Sequence, residues 1–224
     1  TGRHSIFTGS LVRLLAIVVL GGALVFSALV IRNKFHTLPP VSELYADWNN
    51  TEYAGLYEKT GLFLKEHPLH GEVLALHGFA AYYLSLEETD TTETRNYLNE
   101  SITTLRKAWL RVSRRERVNI SYILGKAYYQ RGMFYADLSL KYLDYAQNNG
   151  AQYTDIAEFR GMAAEALGDH EKAIESFAQA LIHDPSDLLL FTLARNYRAL
   201  NDSDKAKQYL TETVRTTHDE LLEL

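Results

Sequence analysis

The chain reads as all-α: a solenoid of helix-turn-helix pairs preceded by a single transmembrane helix. Three observations carry that reading. Leu11 to Ile31 is LVRLLAIVVLGGALVFSALVI, and the eighteen residues from Leu14 onward include no charged residue, Asn, Gln or Pro. The sequence after residue 50 is polar and charged, with apolar residues at helical spacing. That later part also resembles itself at intervals of 33 to 36 residues, the mark of stacked units that cannot bury their apolar faces alone.

Composition narrows the function classes. The chain has 224 residues, 46% hydrophobic and 23% charged, which suits one folded domain plus an anchor. Its net charge of −5 gives no basic footprint for nucleic acid. Cys is absent, which removes disulfides, thiolate chemistry and Cys-zinc sites. Four Pro and 13 Gly are few for an all-β chain rich in turns.

The first element is the tail 1–10, followed by the anchor 11–32. Eighteen apolar residues cross most of a hydrocarbon core of ~30 Å at ~1.5 Å per residue. Arg13 before the run, with Arg32 and Lys34 after it, suits headgroup contacts at both ends. A signal peptide cut after Ser27 is the alternative, but the apolar run continues through Leu29, Val30 and Ile31, beyond a usual h-region. The flanking cations are nearly balanced, so the positive-inside rule gives close to a tie. A short tail before a large domain favours export of the domain. Residues 33–47 read as a linker, stiffened by Pro39-Pro40. The solenoid is placed at 48–217, and 218–224 is a tail or the start of a capping helix.

The clearest repeat is TDIAEFRGMAAEALGDHEKAIESFAQALIHDPS, from Thr154 to Ser186. It carries Gly161, Ala173, Phe177, Ala180 and Pro185, with Gly168-Asp169 as the turn between helices. This unit resembles the tetratricopeptide repeat, or TPR, a helix-turn-helix unit with small residues, an aromatic and a Pro at those places. A unit over 187–215 resembles the same pattern through Leu193, Tyr197, Ala206 and Leu210, with its turn at Asn201-Asp202. A third, 118–150, carries Leu124, Gly125, Tyr128 and Gly132, and its second helix is expected over Phe134 to Tyr145. Further back, Gly78 opens another first helix, and its second helix is expected from Thr94 to Leu110. The 47 residues from Gly78 to Gly125 imply an insertion, placed at the polar stretch Ser85 to Thr94. Glu52 to His67 reads as a second helix with Val41 to Trp48 as its short partner, which makes about five pairs.

Chemistry-bearing motifs are few. No Gly-rich phosphate loop, G-x-S-x-G or H-E-x-x-H is present. His67, His70 and His77 fall close together, but the first two flank Pro68 and no carboxylate set completes a metal shell. Glu87, Glu88, Asp90 and Glu93 lack the spacing of a calcium loop and read as solvated. No catalytic residue, metal site or cofactor is expected. Arg106, Lys107, Arg111, Arg114, Arg115 and Arg117 place six cations within twelve residues. They form either a basic edge for an acidic partner or anionic headgroups, or a solvated helix end whose cations suit a helix C-terminus.

The TPR resemblance implies binding of protein partners in a groove lined by first helices. Its groove positions fall on Tyr122, Lys126 and Tyr129, on Glu158 and Met162, and on Phe191, Arg195 and Arg198. Ile123, Phe159 and Thr192 stand where carboxylate-clamping repeats carry polar residues, which weakens the case for a C-terminal carboxylate ligand. The expected role is a membrane-anchored, non-enzymatic scaffold within a larger complex, its domain in a bacterial periplasm. Chaperoning of secreted or outer-membrane proteins is the alternative. Tyr-rich, degenerate repeats behind an anchor also resemble spirochaete envelope TPR proteins, including flagellar-motor collar components. Four N-x-S/T sequons, at Asn49, Asn99, Asn119 and Asn201, make a eukaryotic lumen less comfortable.

Overall fold

Stacked helices account for nearly all of what the computed structural model describes, namely Ser27 and residues 38–222, with side chains through Val214. Among those residues no helix is long and apolar enough to cross a membrane, and the expected anchor lies outside them apart from Ser27. The order is α1 (Val41–Asn49), α2 (Tyr53–Glu66), α3 (Gly71–Glu87), α4 (Thr91–Trp109), α5 (Arg114–Arg131), α6 (Ala136–Asn148), α7 (Ile156–Ala166), α8 (His170–His183), α9 (Asp187–Ala199) and α10 (Ser203–Leu222). A 3₁₀ turn, Met133–Tyr135, precedes α6. Odd-numbered helices pair with the even-numbered helix that follows, giving five antiparallel pairs in a TPR-like solenoid.

The turns repeat as the helices do. Gly168 has φ 76° and Asn201 has φ 61°. The amide of Asp169 donates to the Ala164 carbonyl at 3.0 Å, and that of Asp202 donates to the Tyr197 carbonyl at 2.9 Å. Both satisfy orphan carbonyls of the preceding helix through a left-handed residue. The following Asp then caps the next helix. Asp169 Oδ1 accepts from the Lys172 amide at 3.1 Å, and Asp202 Oδ1 accepts from the Lys205 amide at 3.1 Å.

Within each pair, a small residue on the first helix receives a large one from the second. A Cβ on Gly161 would meet the Phe177 ring at 2.6 Å, and one on Gly78 would meet Leu105 Cγ at 2.5 Å. Gly125 stands against Leu143 in the same way. One buried cluster runs from Leu74 through Leu105, Leu124 and Leu143 to Ile156. A second holds Ala163, Ala173, Phe177, Ala180 and Leu193. First helices lie between two second helices, so α3 buries residues nearly all round, whereas α4 buries one face. First helices also touch one another directly, α1 with α3, α3 with α5 and α5 with α7, so they form the inner layer.

Two boundaries differ from the sequence reading. The expected insertion at Ser85 to Thr94 is mostly helix. α3 runs through Glu87 and α4 starts at Thr91, because Asp90 Oδ1 accepts from the amides of Thr92 at 2.7 Å and Glu93 at 3.1 Å. The extra length is absorbed as added helical turns. The linker also ends sooner than residue 47, since α1 begins at Val41 and Leu44 is fully buried. Pro40 supplies its N-cap and starts the compact unit. At the other end, residues 218–222 continue α10.

Candidate functional site

The inner layer contains a recess of about 280 Å³. Tyr45 and Trp48 reach it from α1, Phe79 and Tyr83 from α3, and Ile120, Tyr122 and Ile123 from α5, with Tyr153 closing one side. Spacings of three and four residues put Tyr45 with Trp48, and Phe79 with Tyr83, on one face of their helices. The rings then pack on each other across pairs. Trp48 lies 5.4 Å from Phe79 and 5.7 Å from Tyr83, and Tyr53 stacks on Tyr83 at 4.6 Å. Tyr45 keeps 39% of its surface exposed at the mouth. Glu72, Ala75, Leu76, Glu116 and Asn119 complete the lining. Burial, then the charges of Glu72 and Glu116, raise the Tyr45 phenol above its ordinary pKa.

The groove residues named from sequence fall into two groups. Tyr122 and Lys126 are engaged in joining pairs. The Tyr122 ring is 6% exposed and stacks on Tyr153 at 3.7 Å. Its hydroxyl donates to Asp155 Oδ1 at 2.6 Å, while Lys126 Nζ donates to Asp155 Oδ2 at 2.7 Å. Lys126 also lies 4.6 Å from the centre of the Phe159 ring. Burial, then the bond to Asp155, drive the Tyr122 phenol strongly upward. These two side chains fasten α5 to α7, and Tyr122 also lines the recess. Tyr129 packs edge-on to Phe159 and, like Met162, lies half-buried against the second cluster, with Glu158 also half-buried. The more open group is on α9, where Phe191 is 48% exposed and Arg198 is exposed. Arg195 is exposed but holds Glu165 through two bonds, of 2.9 and 2.6 Å.

The basic edge is divided by its local partners. Arg117 lies over the Trp109 ring at 4.6 Å, Arg114 donates to Asn149 Oδ1 at 2.9 Å, and Arg111 donates to the Lys107 carbonyl at 2.9 Å. Arg106 and Lys107 occupy the last turn of α4, where cations suit the helix dipole. Arg114 and Arg115 line a separate polar recess with the 148–153 segment. These cations therefore lie at a junction between pairs, with exposed Arg115 at its rim.

The histidines also separate. His70 caps α3 through Nδ1, and His77 is buried between α2, α3 and α4. Thr60 Oγ1 donates to the Leu56 carbonyl at 2.6 Å and lies 2.8 Å from His77 Nδ1. The other ring nitrogen faces Glu100 at 3.5 Å, and the hydrogen bond with His77 is the chief cause of the lowered Glu100 pKa. Among the described residues no group of three or more His, Cys, Asp or Glu could hold a metal ion.

Sequence reasoning missed two features. The aromatic recess is built mainly from helices 41–49 and 71–87, where the repeat signature is weakest. Its available signal was the density of Tyr, Trp and Phe between residues 45 and 83. The second is Asn196, fully buried, which bonds Glu165 at 2.8 Å and His170 Nδ1 at 2.8 Å, tying α7, α8 and α9 together.

Comparisons with known proteins agree with this architecture. Tetratricopeptide repeat models match residues 155–187 and 189–216, which are α7 with α8 and α9 with α10. No curated protein matches the chain. A crystal structure of MamA is 19% identical, with a TM-score of 0.61 over 79% of this chain and 95% of that one. A second crystal structure of MamA protein is 18% identical, with a TM-score of 0.62 over 80% of this chain and 90% of that one. MamA 41-end from Desulfovibrio magneticus RS-1 is 15% identical, with a TM-score of 0.60 over 80% and 93%. At these identities the likeness is one of fold.

Proposed function

We propose that this chain is a docking scaffold that holds a segment of a protein partner along the inner face of its helix pairs. The observation that carries the reading is the aromatic recess. Side chains from three successive pairs converge on it, and stacking alone does not require Tyr45 to stand 39% exposed at its mouth. Aromatic and Arg side chains at the centre of a concave surface are the residue types that dominate binding energy. Phe191 and Arg198 extend the same face toward the C-terminal pairs. At about 280 Å³ the recess is small for a drug-sized ligand or cofactor and suits one or two side chains.

A membrane tether belongs to the same proposal. Its support is the length and apolarity of Leu14 to Ile31. The scaffold then works beside a bacterial envelope membrane, on the exported side, as one part of a larger assembly; a flagellar motor is one such setting. The full chain is expected to stay with membranes through carbonate extraction. Recovery of a soluble form beginning near Ala28 would contradict the tether.

Docking is tested by capture from detergent-solubilised membranes. The double variant Phe191→Ala, Arg198→Ala is expected to lose the partner while helix content and Tm stay near wild type. Charge reversal at Arg111, Arg114 and Arg115 is expected to keep it. The opposite pattern would move binding to the junction between α4 and α5.

A further inference from the structure

We propose that the aromatic recess receives a cationic side chain, Lys or Arg, from an extended segment of the protein partner. This rests on the docking reading above and adds the chemistry of the docked residue.

The recess combines ring faces with fixed negative charge. Trp48, Tyr45, Phe79 and Tyr83 supply the rings, whose faces attract a cation, Trp most strongly. Glu72 and Glu116 are its only charged lining residues, and both are acidic. The Glu116 carboxylate is held in place, because Oε2 accepts from the Ser113 amide at 2.9 Å and from the Ser113 hydroxyl at 2.6 Å. That capping box satisfies the start of α5 without neutralising the charge. Among the described residues neither Glu72 nor Glu116 forms an ion pair with a cation.

Of the cations nearby, Arg111 packs against Gly71, beside Glu72, but its guanidinium donates to the Lys107 carbonyl at 2.9 Å. Lys126 is committed to Asp155. Arg114 and Arg115 lie across Asn119 and Tyr153, in the adjoining recess, and Arg114 is bonded to Asn149. Glu72, Glu116 and the rings come from different pairs, so only stacking of the first three pairs assembles this combination. A neutral apolar side chain would use the ring walls alone and gain nothing from the two carboxylates. An acidic one would be repelled. A Lys or Arg side chain answers both, laying its methylene stem along the rings with its charged head between the carboxylates.

The test uses the full chain in detergent micelles carrying Trp109→Phe. The chain has two Trp residues, so Trp48 becomes the sole indole reporter. Three short Gly/Ser-flanked peptides are titrated, with central Arg-Leu-Arg, citrulline-Leu-citrulline or Glu-Leu-Glu. The Arg peptide is expected to give a saturable Trp48 change, about tenfold tighter than the citrulline peptide. It should weaken about fivefold in Glu72→Gln, an exposed position where Tm serves as the folding control. Glu116→Gln keeps a capping acceptor and should weaken it similarly. Equal binding of the Arg and citrulline peptides, or preference for the Glu peptide, would overturn the cation assignment and leave groove docking standing. No saturable change with any peptide would also overturn it, with groove docking then decided by the capture of the Phe191, Arg198 variant.

Discussion

At the residue scale, the helix pairs close because their small residues leave almost no space. Gly161 faces the buried Phe177 ring, whose exposure is 1%. Gly161→Ala forces a shift of that ring and should cost about 1–3 kcal/mol by overpacking. Phe177→Ala should cost about 3–5 kcal/mol by opening a cavity. Thermal or urea melts check both, and wild-type values for both would remove the register of the fourth pair. Tyr122 behaves differently from the other groove residues. Tyr122→Phe keeps the stack on Tyr153 but loses the bond to Asp155, so it should lower stability by about 1–2 kcal/mol. A drop in partner capture by a Tyr122 variant therefore reports on folding as well as on contact. Repeat register places Tyr122 on α5. Its burial depends on Tyr153 and Asp155, which lie about thirty residues away in the chain, beyond any local pattern.

At the element scale, local chemistry made most turns legible. Gly168-Asp169 and Asn201-Asp202 combine a left-handed residue with a cap, and both are visible in sequence. The turn between α3 and α4 was read too long because its acidic, Thr-rich composition resembles a solvated loop. Asp90 followed by Glu93 was the overlooked signal of a helix start. Asp90→Ala should cost about 1 kcal/mol and fray the first turn of α4. Amide hydrogen exchange at Glu93 and Thr94 checks this, and unchanged protection would return the segment to a loop. The basic edge was legible as composition only. Its stacking of Arg117 on Trp109 and the bond from Arg114 to Asn149 arise where two pairs meet.

At the scale of the whole molecule, five helix pairs turn many tyrosines inward. Burial is the leading cause that raises the phenol pKa at Tyr45, Tyr53, Tyr57, Tyr82, Tyr83, Tyr122, Tyr128, Tyr129, Tyr153 and Tyr209. The raised folded values mean that stability is fully present below the unfolded phenol pKa of about 10 and falls as pH rises above it. Phenolate absorbance is expected to lag behind that of free tyrosine and then to rise together with loss of helix. Phenol ionisation complete before any helix is lost would contradict this packing. Of the inner face proposed here, repeat register points to Phe191 and Arg198, whereas Tyr45, Trp48, Phe79 and Tyr83 meet only when weakly patterned pairs stack.

The central claim is that this inner face holds the partner, and site-specific photocrosslinking in intact membranes tests it most directly. A photoreactive phenylalanine analogue is placed at Tyr45, Phe79 or Phe191 on the inner face, and at Leu62 or Phe134, which are 54% and 92% exposed and do not line the aromatic recess. One and the same crosslinked protein is expected from the inner positions and none from Leu62 or Phe134. Crosslinks confined to Leu62 or Phe134 would contradict it.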